Sequence, residues 1–246
     1  MSFVDRAGND PKLAKFSRMV WTAVTLLLVQ GIVCGLSLLP VVAILYSILK
    51  FAGQNRVLQV VLVSLALMPG YVLFALCLMM VSPLALRLLG WRTPPDASLC
   101  VADIDWLLLS WVRYGASIHL VRLVAGTLFR GTPLWSVHLR LAGARLGHRV
   151  YVNSLAVSDY NLLECGDDVV IGGSAHVAGH TVEHGVVKTA RVRLGDRVTI
   201  GIGSIIEIGV DIGPDAQVGA MSFVPKFAKL PGGATYVGVP AEPLRK

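Results

Sequence analysis

Two long stretches of this sequence carry no charged residue. Asp, Glu, Lys and Arg make up only 15% of the 246 residues, and none of them lies between Arg18 and Lys50 or between Arg56 and Arg87. Each stretch is longer than the ~20 apolar residues that a transmembrane helix requires. A cleavable signal peptide has a shorter apolar segment. We therefore expect two retained transmembrane helices within residues 19–90; a helical hairpin buried in a soluble protein is the alternative.

Cysteine is scarce too, and its spacing argues against two kinds of small scaffold. The chain has four cysteines and no CxxC pair. Cys34 and Cys77 fall within the uncharged stretches, and Cys100 and Cys165 are isolated from other cysteines. This distribution does not indicate a disulfide framework or a structural zinc site.

The basic residues predict the orientation of the helices and the partners of the chain. Basic residues near helix ends favour the cytoplasmic side of a membrane. They precede the first stretch and follow the second, whereas the connecting loop has only Lys50 and Arg56. The N-terminal segment, 1–18, and everything after residue 90 should then be cytoplasmic, in a multi-pass protein of the inner cell membrane. The net charge of +7 fits attraction to anionic membrane lipid, and without a nucleic-acid motif it does not predict a nucleic-acid partner.

Residues 91–140 are predicted to join the spans to the rest of the chain. They open with "WRTPPDAS", a linker with a proline pair. The segment after it is rich in tryptophan and leucine and contains spaced arginines, Arg113, Arg122 and Arg130. This mixture is typical of helices that lie at a membrane interface, with their arginines reaching lipid headgroups.

Aliphatic residues recur at every sixth position in the last part of the chain. The longest series is Leu194, Ile200, Ile206, Ile212, Val218 and Val224. Cys165, Ile171 and Val177 keep the same spacing, and "LGHRVY" starts it earlier. A period of six matches neither a helix nor a simple strand, but it is typical of a solenoid in which each hexapeptide forms one face of a triangular coil. Residues 141–246 are therefore predicted to form about four to five coils of parallel β-helix.

This repeat resembles that of the left-handed β-helix, hexapeptide-repeat acyltransferases. The segment "DYNLLECGDDVVIGGSAHVAGHTVEHG" has the order of features typical of that family. The segment "VPKFAKLPGGATYVGVPAEPLRK" is similar to its closing element, with Val239 where asparagine is common. The resemblance implies a membrane α-helical hairpin joined to an all-β left-handed parallel β-helix.

The helical half narrows the resemblance. Two predicted spans followed by "FRGTPLWSVHLRLAGARLG" resemble the membrane-embedded terminal module of polylysine-synthetase-like non-ribosomal peptide synthetases. Such modules join amino acids that arrive on a carrier domain. This sequence contains no adenylation or carrier domain, so we expect its acyl donor to come from elsewhere.

Three histidines, His176, His180 and His184, lie four residues apart in the repeat region. The hexapeptide frame slips between Val177 and Leu194, which are 17 residues apart. The segment "GHTVEHGVVKTAR" is therefore predicted to be a loop that leaves the coil, where functional residues are expected.

The resemblance implies a catalytic histidine in this loop. The family places that histidine after a glycine, which corresponds to His180. An imidazole with a pKa of ~6.5 suits the removal of a proton from an acceptor at neutral pH. Glu183 or Glu164 is expected to orient the ring, and His176 and His184 are expected to be bystanders. The alternative for His180 is a structural loop histidine.

The resemblance also implies binding positions. The acceptor is expected at Asn153, Asp159 and Asn161, for which a role in turning a coil corner is the alternative. The donor is expected along the later coils, at Ser204, Ala220 and Lys226. That donor is acyl-coenzyme A or a phosphopantetheinyl carrier-protein thioester, and no metal is expected.

Together these features predict a membrane-anchored acyltransferase. It would move an acyl or aminoacyl group from a pantetheine thioester to an amine or hydroxyl acceptor. We expect a homotrimer, because a single β-helix offers no deep pocket of its own, and a carrier protein or a non-ribosomal peptide synthetase as partner. Two rivals stay open: a gamma-carbonic-anhydrase-like enzyme whose histidines hold zinc, and a non-catalytic β-helix scaffold.

Overall fold

The computed structural model describes residues 11–244, which begin with two long antiparallel helices, α1 (Pro11–Ala52) and α2 (Arg56–Leu89). Asn55 caps α2, because its side chain accepts a hydrogen bond of 3.0 Å from the backbone amide of Leu58. Of the predicted cytoplasmic segment 1–18, residues 1–10 lie outside the described part and residues 11–18 are the first turns of α1.

Most side chains of α1 and α2 face outward. Both helices are long and apolar enough to cross a membrane, and only 11% and 6% of their most apolar windows are buried. Leu27 and Met68, for example, are 69% and 70% exposed. A hairpin buried within this chain would show the opposite distribution, so that alternative is wrong for the described residues. Insertion into a bilayer stays a prediction.

Three further helices connect the hairpin to the β-structure: α3 (Trp106–Val121), α4 (Thr127–Phe129) and α5 (Pro133–Leu141). A π-helical turn over Arg122–Gly126 links α3 to α4. The side chain of Asp105 caps α3 by accepting a 2.7 Å hydrogen bond from the Leu108 amide. Helix α3 packs against both long helices.

Arg113 is buried, so the prediction that it contacts headgroups is wrong, whereas Arg122 is half-buried and bonds within the protein. Arg113 is only 8% exposed; it donates 3.1 Å to the Thr25 hydroxyl of α1 and lies 5.3 Å from the ring centre of Trp91. Arg122 donates 3.0 Å to the carbonyl oxygen of Leu155. A hydroxyl, an aromatic face and a carbonyl thus give the two guanidinium groups partners inside the protein, although Nε of each is buried without a hydrogen-bond partner in the described chain. Arg130 is exposed as predicted.

The β-structure consists of short strands. In chain order they are β1 (Ser98–Cys100), β2 (Arg145–Leu146), β3 (Tyr151–Val152), β4 (Leu163–Cys165), β5 (Val170–Ile171), β6 (His176–Val177), β7 (His180–Glu183), β8 (Val186–Thr189), β9 (Val192–Leu194), β10 (Thr199–Ile200), β11 (Ile205–Ile206), β12 (Asp211–Ile212), β13 (Gln217–Val218), β14 (Phe223–Val224), β15 (Lys229–Leu230), β16 (Thr235–Val237) and β17 (Glu242–Pro243).

Three parallel stacks of these strands form the faces of the coil. The stacks are β2-β4-β9-β12-β15, β3-β5-β10-β13-β16 and β6-β11-β14, and β17 adds an antiparallel edge to the second. The chain visits the three stacks in turn, so Ile200 pairs with Ile171 on the coil before it and with Val218 on the coil after it. This strand order is that of the predicted parallel β-helix.

The core of the β-helix is made by the hexapeptide aliphatics. All six residues of the longest series are at most 3% exposed. Each points inward and stacks on its equivalent one coil away, as Ile206 does on Val224. The six-residue period thus reflects one buried side chain for every face of the coil.

The predicted loop at the frame slip is an ordered β-hairpin. Strands β7 and β8 pair antiparallel, and β1, which follows the proline-containing linker, pairs with the other edge of β8. Its turn is His184-Gly185, whose φ angles of 49° and 74° are both positive, as a tight type I′ hairpin turn requires. The linker and the hairpin are therefore one three-stranded sheet.

Candidate active site

His180 begins the hairpin at the point where the chain leaves the β-helix. The preceding Gly179 donates its amide to the Ser158 hydroxyl at 3.0 Å. A Cβ atom at position 179 would lie 2.6 Å from Cβ of Asp159, which is closer than two carbon atoms can approach. Only glycine therefore lets the chain pass close enough to Asp159 for the next side chain to reach it.

The imidazole of His180 is held by a buried carboxylate. His180 Nδ1 lies 2.5 Å from Asp159 Oδ2. The other oxygen, Oδ1, accepts a 2.6 Å hydrogen bond from the Thr93 hydroxyl. Asp159 is only 2% exposed, so a proton on Nδ1 has a fixed acceptor and Nε2 is the nitrogen free to take a proton from a substrate.

The pKa values of this pair move in opposite directions. The hydrogen bond to Asp159 raises the pKa of His180, although partial burial opposes the rise. Burial alone would raise the pKa of Asp159, but hydrogen bonds from His180, Thr93 and Ser158 outweigh burial and lower that pKa. The carboxylate therefore stays ionised while the imidazole titrates.

His180 opens onto a cavity between the β-helix and α3. The cavity has a volume of about 410 Å³, and α3 supplies most of its wall, including Trp111, Val112 and Ile118. The Trp111 ring meets the His180 ring edge-on, with 5.0 Å between the ring centres. A histidine with one free nitrogen thus faces a mostly apolar space large enough for a small ligand.

Two curated proteins match the chain. One is the delta-poly-L-ornithine synthetase of Acinetobacter baumannii (strain AB307-0294), 26% identical over 171 residues that cover 68% of this chain and 12% of that protein. The other is the galactoside O-acetyltransferase of Escherichia coli (strain K12), 31% identical over 109 residues that cover 41% of this chain and 53% of that protein.

The chain resembles the hexapeptide-repeat acyltransferases. This prediction is confirmed. The 171 residues matched to the synthetase are more than the tract 141–246 contains, so that likeness extends into the helical half. The chain spans only 12% of the synthetase and 53% of the acetyltransferase.

No family model matches the chain. Among solved structures, a hexapeptide-repeat containing acetyltransferase from Vibrio cholerae aligns with a TM-score of 0.42 and 18% identity over 55% of this chain and 91% of that one. A TM-score of this size does not establish a shared fold, and the β-helix is identified by the strand pairing of this chain.

Neither predicted acid orients His180. Glu183 instead bonds to Lys226 and, at 3.1 Å, to Lys188, and these hydrogen bonds lower its pKa. His180 and Glu183 are three positions apart on one strand, so their side chains lie on opposite faces. Glu164 pairs with arginines on another face of the coil. The acid partner of His180 is instead Asp159, 21 positions earlier in the sequence.

The predicted acceptor residues have separate roles. Asp159 holds His180 and lines its cavity. Asn161 bonds twice to the backbone of Thr93, accepting at 3.3 Å and donating at 2.8 Å, so it fixes the linker. Asn153 is half-buried and is not among the residues that line the His180 cavity. The structure brings only Asp159 to the histidine.

The predicted donor residues also lie apart from one another. Ser204 is fully buried and donates 2.7 Å to the Gly219 carbonyl oxygen, so its side chain stabilises the coil. Ala220 is exposed at a coil corner. Lys226 is held by Glu183, whose strand begins at His180. Of the three, only Lys226 is connected to the β7–β8 hairpin by a side-chain contact.

The three histidines of the frame slip do not form one cluster. His176 is exposed on β6 and His184 sits in the hairpin turn. Within residues 11–244 no group of three His, Cys, Asp or Glu side chains is placed to hold a metal ion. The rival metal site would therefore need ligands from another subunit.

Thr93 and Trp111 were not predicted from the sequence. Thr93 lies in the proline-containing linker, 66 positions before Asp159, which it contacts. Trp111 lies in a helix predicted to face lipid, 69 positions before His180, which it contacts. No local signal reports such contacts. The sequence did single out their shared neighbourhood through Asp159, the aspartate before "YNLL" ahead of the first full coil.

Proposed function

We propose that this chain is an acyltransferase that moves an acyl or aminoacyl group from a pantetheine thioester to an amine or hydroxyl acceptor at the membrane surface. The observation that carries the proposal is the His180–Asp159 pair, which engages Nδ1, leaves Nε2 free and lines a cavity of about 410 Å³. The likeness to a galactoside O-acetyltransferase supports the reaction class. The thioester belongs to coenzyme A or to a carrier protein.

The reaction needs one base and no redox step. His180 Nε2 removes the proton from the acceptor as its nitrogen or oxygen attacks the thioester carbonyl carbon. Asp159 stabilises the imidazolium that forms. Backbone amides of a coil stabilise the tetrahedral oxyanion. When that intermediate collapses, the carbon–sulfur bond breaks, and the imidazolium returns its proton to the leaving thiolate.

The helical hairpin supports a location in the inner membrane, with the left-handed β-helix on the cytoplasmic side. Its side chains are apolar and mostly exposed, which suits contact with lipid. The cavity at His180 is walled by α3, which packs on that hairpin. This arrangement favours an acceptor that is amphipathic, lipid-linked or delivered by a membrane-associated partner.

We propose a homotrimer, although the chain has a cavity at His180 without one. The expectation of trimers rested on a single β-helix having no pocket, but here α3 of the same chain builds a wall over His180. A trimer would therefore extend this site and is not needed to create it. A carrier protein or non-ribosomal peptide synthetase is proposed as the donor's source, supported by the match to the polyornithine synthetase.

A thiol-release assay tests the proposal. Purified full-length protein is given acyl-coenzyme A or a carrier-bound acyl donor, and the free thiol is measured with candidate amine and hydroxyl acceptors. The His180→Ala variant should lose about 10²–10⁴-fold in rate. His176→Ala, an exposed histidine four positions away, is the matched control and should keep the wild-type rate.

Three outcomes would contradict the assignment. An unchanged rate in His180→Ala would remove the histidine as base. Activity that is lost on chelation, with metal in the purified protein, would favour the carbonic-anhydrase-like rival. Absence of thiol release with every donor and acceptor class would favour the scaffold.

A further inference from the structure

A second and larger cavity lies where α2 ends against the β-helix. Its volume is about 640 Å³, and four arginines line it: Arg87, Arg92, Arg145 and Arg191. None of its lining residues, all within the described range 11–244, is acidic. Four arginines lining one space favour an anion, and planar guanidinium suits phosphate in particular.

Part of the lining of this arginine cavity is apolar. Pro83 and Leu86 of α2, Leu141 of α5 and Leu162 of the first full coil contribute to it, together with the ring of Trp91. A free inorganic anion has no apolar surface that could pack against these residues. In a phosphate ester that carries hydrocarbon chains, the phosphate would bind the arginines and the chains would pack against the apolar residues.

Nearby protein charges compensate the arginines only in part. Glu164 pairs with Arg145 at 3.1 Å and Arg191 at 3.0 Å, but it also pairs with Arg193 outside the cavity. Arg87 donates 3.0 Å to the carbonyl oxygen of Arg140, which carries no net charge. One carboxylate is thus shared by three arginines, and Nε of Arg191 is buried without a hydrogen-bond partner in the described chain.

The location of the cavity points to a lipid. Helix α2 ends at Leu89, and Gly90 closes it in the left-handed conformation. Leu88 in the last turn is 79% exposed, and Leu84 one turn earlier is 57% exposed. A proposed span therefore keeps its lipid-facing side up to the edge of the cavity, and Trp91 next to it is the residue type enriched at membrane interfaces.

We propose that the arginine cavity binds the phosphate headgroup of an anionic phospholipid, with the acyl chains directed along α2. Basic pockets between membrane helices on the cytoplasmic side are suited to such headgroups. The proposal rests on the membrane placement proposed above and is independent of acyl transfer, because His180 lines a different cavity. The bound lipid would fix the joint between hairpin and β-helix at headgroup level.

The test is a lipid titration of the detergent-solubilised full chain. Dihexanoyl phosphatidylglycerol and dihexanoyl phosphatidylcholine are added separately, and occupancy is followed by native mass spectrometry. Phosphatidylglycerol should bind more tightly. Combining Arg87→Gln with Arg92→Gln should weaken phosphatidylglycerol binding roughly thirtyfold. This factor is the product of what two arginines near a membrane surface typically contribute to the binding of anionic lipid.

The control removes two arginines elsewhere. Arg149→Gln with Arg197→Gln changes the net charge equally but lies at coil corners, where each arginine is paired with an aspartate. This control should bind phosphatidylglycerol like the wild type. Equal weakening in both double variants, or equal binding of the two lipids, would overturn the proposal.

A third ligand separates lipid from soluble phosphate. Glycerol 3-phosphate has the phosphate without the acyl chains and should bind much more weakly than the lipid. Binding of equal strength would overturn the lipid assignment in favour of a soluble phosphate ester. Because thiol release is not measured here, failure of this proposal leaves the acyltransferase proposal standing, and the reverse also holds.

Discussion

Nδ1 of His180 lies 2.5 Å from Oδ2 of Asp159, a residue 21 positions earlier on the preceding coil. The two side chains meet because Gly179 has no Cβ atom in the space between them. A third residue, Thr93 of the linker, donates to the same carboxylate. The order His180–Asp159–Thr93 yields predictions that separate a catalytic pair from a structural ion pair.

Asp159→Asn should reduce the acyl-transfer rate about 10²–10⁴-fold, because the imidazolium loses its charge partner. Since Asp159 raises the pKa of His180, the free-base form of the histidine should appear at lower pH in the variant. The acidic limb of the kcat/KM profile should therefore shift to lower pH. Glu183→Gln is the matched control, because Glu183 pairs with lysines and should leave the limb in place. An unmoved limb in Asp159→Asn would refute the role of the carboxylate.

Thr93→Val should destabilise the fold by about 1–3 kcal/mol, because it leaves one oxygen of a buried carboxylate without its donor. Both Thr93 and Asp159 are almost fully buried. Thr93→Ser keeps the hydroxyl and should recover most of the loss. Unfolding in denaturant measures the difference, and equal stability of the valine and serine variants would show that the hydroxyl contributes nothing.

Gly179→Ala should impair catalysis by forcing His180 and Asp159 apart. The added Cβ would lie 2.6 Å from Cβ of Asp159, whereas a Cβ at Gly173 would meet its nearest atom at 3.6 Å, an ordinary contact. Gly173→Ala is thus the matched control. We expect a rate loss of at least about tenfold for position 179, from the sensitivity of catalysis to misplacement, and little change for position 173. Similar rates in the two variants would contradict the close approach.

Ile200→Ala should cost about 2–5 kcal/mol of unfolding free energy, because it opens a cavity in the β-helix core. Ile200 is fully buried, whereas Ile202 two positions later is 65% exposed. Ile202→Ala should therefore change stability by less than about 0.5 kcal/mol. Circular dichroism during denaturant titration compares the two, and equal losses would argue against the hexapeptide frame.

The six-residue repeat could be predicted because it depends on local chemistry alone. Every face of the coil requires one inward side chain, so burial leaves a period in the sequence that is visible without any structure. The hairpin at the frame slip was also within reach. The glycine of the His184-Gly185 pair suits the positive φ that a tight hairpin turn requires, although we predict a loop for this tract.

The partner of His180 was out of reach for a geometric reason. Glu183 is close in sequence, but an offset of three along a strand places two side chains on opposite faces. Asp159 becomes a neighbour of His180 only because the chain completes one coil of the β-helix between them and passes directly beside the position of Asp159. Arg113 presents the same difficulty, because a tertiary contact with Thr25 and two tryptophan rings decides its burial.

Strand β1 has a consequence for any attempt to divide this molecule. It pairs with β8, and β8 pairs with the strand that begins at His180. A fragment cut at residue 141 would retain every stacked coil and the histidine. It would forfeit the edge strand, the hydroxyl of Thr93 and the indole of Trp111 in one step. The start of the hexapeptide repeat therefore marks where the β-helix begins, but not where the candidate site begins. The smallest fragment able to carry the proposed chemistry must include the linker and α3.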